Sequence, residues 1–250
     1  MKLNKIDICN CAIDNIQKSR LLEDFNKGIL IPVNVDMLVK MQRDQDFYQC
    51  CMKGEFVVND SQIIRQASKF LGTPIVETIQ GSDFFPLFYT YHKLNEKVTI
   101  FLLGAMPGIG KKAMENINKK VDRTMVVGCY SPPFGFENDS QECTKIIDLI
   151  NHSKATVLAV GLGAPKQEKW VVKYRSQFTH VSRILCIGAT IDFEAGTIKK
   201  APKIVKKLGL EWLFRLIIEP RRLWKRYLID DPKFFWLILL QKLGLYKNPF

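Results

Sequence analysis

The segment ATVLAVGLG at 155–163 is an apolar run, and a strand of that kind is stable only where both of its faces are covered. It therefore predicts a central parallel strand with helices above and below. The rest of the chain supplies the partners. GILIPVN (28–34) reads as a strand, followed by a helical spacing of Met37, Leu38, Met41, Phe47 and Tyr48 up to Lys53. EFVVND ends a second strand at Asp60, and SQIIRQASKFLG follows as a helix with Ser61 placed to cap it and Gly72 to stop it. KVTIFLLGA (97–105), a turn, a helix over about 111–120, and TMVVG (124–128) repeat the unit. A helix over about 140–152 precedes the central strand, a helix opened by Pro165 follows it, and RILCIG (183–188) is expected to close the sheet. Repeated strand, turn and helix predicts an α/β, Rossmann-like, doubly wound and mostly parallel sheet, with ligands held at the carboxyl ends of the strands.

Charge divides the chain. Of a formal net charge of +12, a surplus of +9 lies between Lys199 and Phe250, where 13 Lys/Arg stand against 4 acidic residues. The expected division is a catalytic domain over 1–198 and a basic, amphipathic, helical C-terminal appendage over 199–250. In that appendage Trp212, Leu213, Leu216, Ile217, Leu223, Trp224, Tyr227 and Leu228 recur at helical spacing beside Arg215, Arg221, Arg222, Lys225 and Arg226. Apolar and aromatic residues on one side with cations on the other form an interfacial pattern, which suits an anionic membrane surface better than nucleic acid. An ordinary helix packed on the sheet is the competing reading. Seven cysteines, none in a CxxC pair, support neither a disulfide framework nor a zinc site. The polar amino terminus lacks a signal-peptide core, so a reduced, cytoplasmic protein is expected. The longest apolar run, Phe234 to Leu240, falls short of the roughly 20 residues of a spanning helix.

Strand ends carry the candidate site: Asn34, Asp60, Gly104 to Gly110, Gly161 to Gln167, and Gly188 to Glu194, the last read as a loop running to Gly196. The turn GAMPGIGKKA fails as a Walker A loop, because five residues separate Gly104 from Gly110 and Lys112 stands where a hydroxyl is needed. Gly108, Gly110 and Ala113 satisfy a dinucleotide fingerprint, yet the next strand ends without the acidic residue that would hold a ribose, which leaves nicotinamide chemistry the weaker alternative. Backbone N–H groups at a helix start near Gly108, and again after Gly161, Gly163 and Pro165, suit a diphosphate or sugar. Gln167 is expected to project a neutral amide there. Asp60 is either a general base or a cap on the helix after it; Asp192 and Glu194 are either ligand contacts or loop braces. Asp44-Gln45-Asp46 lies in a helical pattern and reads as a solvated face, and His92, His152 and His180 show no metal spacing.

Together these motifs resemble the WecG/TagA/CpsF glycosyltransferases: VVNDS at 57–61, GSDFFP at 81–86, GAMPG at 104–108, SPPFGFE at 131–137, GLGAPKQEKW at 161–170, GATIDFEAGTIKKAP at 188–202 and GLEWLFRLIIEPRRLWKRYL at 209–228. The resemblance implies transfer of a sugar from a UDP-sugar to a polyprenyl-diphosphate-linked sugar in cell-wall or surface polysaccharide synthesis. It further implies inversion at the anomeric carbon, no cofactor and no metal, a peripheral place on the inner face of the cell membrane, and a homo-oligomer. By the same resemblance Asp60 is the base and Gln167 an active-site glutamine. Asn34, Ser82, Asp83, Gly104, Pro107, Gly108, Gly161, Gly163, Pro165, Asp192 and Glu194 would bind substrate, and Arg215, Arg221, Arg222 and Arg226 would meet the lipid diphosphate or the membrane. One position departs from the family pattern: Thr78 stands where an arginine three residues before the G-x-D glycine is common.

Overall fold

The computed structural model describes residues 4–207 and 209–250. An antiparallel hairpin, β1 (Lys5–Ile8) and β2 (Cys11–Asp14), leads into β3 (Gly28–Val33), β4 (Phe56–Asn59), β5 (Ile100–Gly104), β6 (Val126–Tyr130), β7 (Val157–Gly161) and β8 (Arg183–Cys186). The last six form one sheet in the order β4-β3-β8-β7-β5-β6, and every neighbouring pair is parallel. Parallel pairing cannot be closed by tight hairpins, so each strand is followed by a crossover that buries a face of the sheet. Alternation along the strands then divides the core in two. Ile29, Ile31, Leu158, Val160, Ile184 and Cys186 point to one face, which is covered by helices Val35–Met41, Gln45–Met52, Gln62–Leu71, Ser140–His152 and Lys166–Tyr174. Leu30, Val157, Ala159 and Leu185 point to the other, under helices Lys18–Asp24, Gly81–Tyr91, Ile109–Val121 and Thr190–Ala195.

Local chemistry sets the element ends. Ser61 Oγ accepts from Ile63 N at 3.2 Å to open its helix, and Gly72 ends it at φ +89°. Asn34 Oδ1 accepts from Met37 N at 3.1 Å. Glycine matters most where strand ends crowd together: a Cβ on Gly104 would lie 2.5 Å from Gly161 O, and one on Gly161 would lie 2.7 Å from Gly188 O.

Some expectations need correction. Residues after Gly188 do not form a loop, because Thr190–Ala195 is a helix that seats Ile191 and Ala195 in the second core. RILCIG does not close the sheet at an edge, since β8 lies between β3 and β7 and hydrogen-bonds to both. The helical stretch before Lys53 is two helices, broken where Asp44 turns to cap the second by accepting from Phe47 N at 2.9 Å.

The end of the chain returns to its beginning. Helix Lys233–Lys242 buries Phe234 and Ile238 in the first core. Beyond them Gln241 accepts from Cys9 N at 2.7 Å and donates to Asp7 O at 2.9 Å, so the hairpin and the last helix are stitched together. Phe234→Ala is therefore expected to destabilise the whole molecule by about 3–5 kcal/mol, the usual cost of emptying a buried aromatic site. Urea unfolding followed by far-ultraviolet circular dichroism checks this; a loss below about 1 kcal/mol would show that the last helix unfolds on its own.

Candidate active site

At the carboxyl ends of β3 and β8, neighbouring strands send their helices to opposite faces: Val35–Met41 goes to the first core and Thr190–Ala195 to the second. A crevice opens at such a divergence. It holds a cavity of about 460 Å³ whose floor is Asn34 after β3, Asp60 after β4, Ala164 and Gln167 after β7, and Gly188 to Thr190 after β8. Gln80, Gly81 and Ser82 at the start of helix Gly81–Tyr91 form one side. The C-terminal arm forms the roof, contributing Glu211, Arg215, Arg222, Leu223, Lys225, Arg226 and Asp230.

Asp60 occupies the floor. Its backbone N–H continues the sheet by donating to Val33 O at 2.8 Å, and its Oδ1 accepts from Gly81 N at 3.3 Å, at the positive end of helix Gly81–Tyr91. The cap of helix Gln62–Leu71 is Ser61, so the Asp60 carboxylate is not spent on the helix that follows it. Burial and the nearby Glu211 carboxylate push its pKa up to about 8, against the opposing pull of Arg215, the Gly81 N–H and Arg226. A carboxyl with such a pKa is poised to exchange a proton near neutrality.

The arm is latched onto this floor by polar contacts. Gln80 donates to Glu211 Oε2 at 2.6 Å and accepts from Lys206 Nζ at 3.3 Å, while Lys206 also pairs with Asp83 at 2.8 Å. Arg226 donates to Asn34 Oδ1 at 3.3 Å and lies 3.7 Å from Asp36, bridging 192 residues of sequence. Lys40, paired with Asp36 at 2.8 Å, brings a further cation to the wall. Arg215 Nε is buried with no hydrogen-bond partner among the described residues. Its guanidinium lies 4.0 Å from Glu219, and the unpaired Nε donor suits an anionic ligand.

The structure divides the residues expected from sequence. Asn34, Asp60, Ser82, Gln167, Arg215, Arg222 and Arg226 line the cavity. Gly104, Pro107 and Gly108, at the end of β5, and Gly161, Gly163 and Pro165, around the end of β7, are not part of its lining. Asp83 is taken by Lys206, and Arg221 is exposed outside the cavity. Asp192 is also outside, its carboxyl raised by partial burial. Glu194 is buried and accepts from Tyr89 OH at 2.9 Å and from Lys120 at 2.6 Å, with Lys200 at 3.4 Å. Burial would raise its pKa, but Lys120, Lys200 and Tyr89 hold it below the usual carboxylate range, and its geometry is that of a brace.

Gln167 does not project a free amide. Its Oε1 accepts from Gly163 N at 3.2 Å and Gly188 N at 3.3 Å, and its Nε2 donates to Glu168 Oε1 at 2.7 Å. It ties the loops after β7 and β8 into one rim, and burial pushes the Glu168 carboxyl behind it up to about 7. Thr78 is buried, accepts from Asn59 Nδ2 at 3.3 Å and is absent from the lining; the cations there are Lys40, Arg215, Arg222, Lys225 and Arg226. Asp44, the first residue of the D-x-D match, pairs with Lys169 at 2.8 Å and is not part of the cavity lining. Among the described residues no three His, Cys, Asp or Glu side chains gather as a metal-ligand set. Sequence missed Asp36, Lys40, Gln80 and Glu211, and it offered Lys225 only as a cation of the arm. Asp36 and Lys40 were findable as a helical i,i+4 pair just after a strand end, and Glu211 stands four residues before Arg215; Gln80 carried no local signal.

Comparison with known proteins fits this architecture. The family model of the glycosyl transferase WecG/TagA/CpsF family matches residues 6–248. An N-acetylglucosaminyldiphosphoundecaprenol N-acetyl-beta-D-mannosaminyltransferase of Bacillus subtilis (strain 168) is 27% identical over 231 residues, 92% of this chain and 86% of the relative. Proteins of the same name from Staphylococcus aureus (strain MRSA252) and Bacillus spizizenii are 24% and 26% identical, covering 89% and 86% of this chain and 86% and 80% of their own. With nearly its whole length matched and the strand-end cavity in place, the chain belongs to the WecG/TagA/CpsF family and is a glycosyltransferase.

Proposed function

We propose that this protein transfers an N-acetylmannosaminyl unit from its UDP-linked donor to a polyprenyl-diphosphate-linked N-acetylglucosamine, with inversion at the anomeric carbon and without a divalent metal. The observation that carries this reading is the Asp60 carboxyl on the cavity floor beneath Arg215 and Arg226 of the arm. The relatives' names supply the sugar and the acceptor.

In the proposed reaction Asp60 takes the proton of the acceptor hydroxyl as that oxygen bonds to the anomeric carbon. On the opposite side the bond from that carbon to the diphosphate oxygen breaks, and the electron pair leaves with UDP. Negative charge on two diphosphates, the leaving one and that of the acceptor, then needs partners. Lys40, Arg215, Arg222, Lys225 and Arg226 line the same cavity, and guanidinium groups suit phosphate oxygens in bidentate fashion. Glu211 opposes the ionised form of Asp60, so the carboxyl stays a base strong enough to act on a hydroxyl.

A peripheral place on the inner membrane face belongs to the same proposal. Ile217, Trp224, Leu228, Ile229 and Trp236 are exposed on the arm beside Arg221 and Lys225, and anionic lipid attracts each nearby cation by about 1 kcal/mol. Among the described residues no helix is long and apolar enough to cross a membrane.

Asp60→Asn keeps the shape and an acceptor oxygen for Gly81 N, so it is expected to fold normally and to lose about 10²–10⁴-fold in turnover, read as UDP release with circular dichroism as the folding check. Near-normal turnover would remove Asp60 from the base role. In the wild-type protein kcat/KM should rise with pH through about 8, because below that value Asp60 already holds the proton it must accept; a profile flat between about pH 6 and 9 would contradict this. Turnover should persist in EDTA, and a strict requirement for added magnesium or manganese would refute the metal-free part.

A further inference from the structure

The active-site cavity does not end at Asp60. A second cavity of about 330 Å³ shares Asn34, Asp60, Gln80, Glu211, Arg215 and Arg226 with it, and extends to a wall of Trp212, Tyr227, Pro232 and Phe235. A third, of about 580 Å³, shares Gln62, Ile63, Gly209, Trp212 and Phe235 with the second. It continues between helices Gln62–Leu71 and Lys233–Lys242 over Ala67, Phe70, Ile238 and Leu239. The three form one trough with a gradient. Carboxylates and cations line its inner end and reach into the middle, where Lys206 and Asp231 join Trp212, Tyr227 and Phe235, and no charged side chain among the described residues lines the outer end.

We infer that the outer groove receives the isoprenoid chain of the lipid-linked acceptor, so that part of that chain is bound by protein rather than by the bilayer. The inference rests on the acceptor proposed above. Such an acceptor is ordered as sugar, diphosphate, then branched hydrocarbon, and the trough runs from a charged stretch that holds Asp60, Arg215 and Arg226, past Trp212 and Phe235, to Phe70 and Leu239. A sugar hydroxyl against Asp60 sets the diphosphate beside the arginines, and the first isoprene units then lie on the aromatic wall. The groove walls are available to a ligand: Phe70 is 53% exposed, Phe235 59% and Leu239 40%. Apolar side chains held open on two packed helices, in line with a cationic head site, favour an amphipathic anionic lipid over a wholly polar ligand.

The test removes the membrane. Two water-soluble acceptors are compared without vesicles or detergent micelles: N-acetylglucosaminyl diphosphate bearing a farnesyl chain, and the same head bearing a methyl group. The wild-type protein is expected to prefer the farnesyl compound by about tenfold or more in kcat/KM, the scale of one buried apolar contact. In Phe70→Ser and in Leu239→Ser that ratio should shrink severalfold, and as a ratio it does not depend on the fraction of folded protein. In parallel, farnesyl diphosphate tipped with a benzophenone should crosslink within 62–70 or 235–239, mapped by mass spectrometry of peptides. Equal use of both acceptors, a preference that arises only with vesicles, or crosslinks confined elsewhere would overturn the groove. If neither acceptor is turned over, the proposed function fails, and the crosslink map still decides whether the groove binds an isoprenoid diphosphate.

Discussion

A sheet whose strands all run parallel has to be covered on both faces, and that requirement organises everything else in this protein. Every crossover leaves from the same edge, so the carboxyl ends of β4, β3, β8 and β7 come to lie along one rim. Where β3 and β8 send their helices to opposite faces, the rim cannot close on itself. The cavity is the consequence. On one side the backbone is close because β7 and β8 meet at their ends, where a Cβ on Gly161 would lie 2.7 Å from the carbonyl oxygen of Gly188, which lines the cavity. Of the glycines that resemble a phosphate loop, Gly104 packs in the same way, since its Cβ would lie 2.5 Å from Gly161 O.

The cavity concentrates charge of both signs in a place partly closed to water. Asp36, Asp60, Glu211 and Asp230 face Lys40, Arg215, Arg222, Lys225 and Arg226. Such a set is stable only when it is balanced, since an unpaired charge in low dielectric is costly. Arg226 is shared between Asn34, Asp36 and Asp231, at 3.3, 3.7 and 3.8 Å, so its charge is balanced by several loose contacts rather than by one tight pair. The arm therefore has two physical tasks at one surface: its inner side balances the floor, and its outer side exposes Trp224, Leu228 and Trp236. Neither task excludes the other, because helix Lys233–Lys242 is fixed to the body through Phe234 and Gln241.

Much of the body was legible residue by residue. The apolar strands, the Ser61 cap and the Gly72 stop are set by nearest neighbours along the chain, and the structure keeps them close to where pattern places them. Legibility fell where a side chain is committed to a partner far away in sequence. Gln167 reads as a free amide at a helix mouth, but it holds Gly163 and Gly188 together; Glu194 reads as a strand-end carboxylate, but Tyr89 and Lys120 claim it. The N-terminal hairpin is not legible because two four-residue strands give too short an alternation to register, and the last strand, β8, lies inside the sheet because order in the chain does not give order in the sheet.

What the sequence by itself determined is the set of local units: buried parallel strands, the helices that cover them, Asp60 at a strand end, and a helical arm rich in cations and aromatic residues. It also carried the family, since seven motifs recur in one order. Tertiary structure alone decided which strand ends share a cavity, that β5 with its glycine turn stands apart, and that Arg215 and Arg226 close over Asp60. The physical reason is range. Periodicity and capping act over a few residues, whereas the contact between Arg226 and Asn34 spans 192. A contact of that length is set by sheet order and crossover direction, which no local pattern encodes.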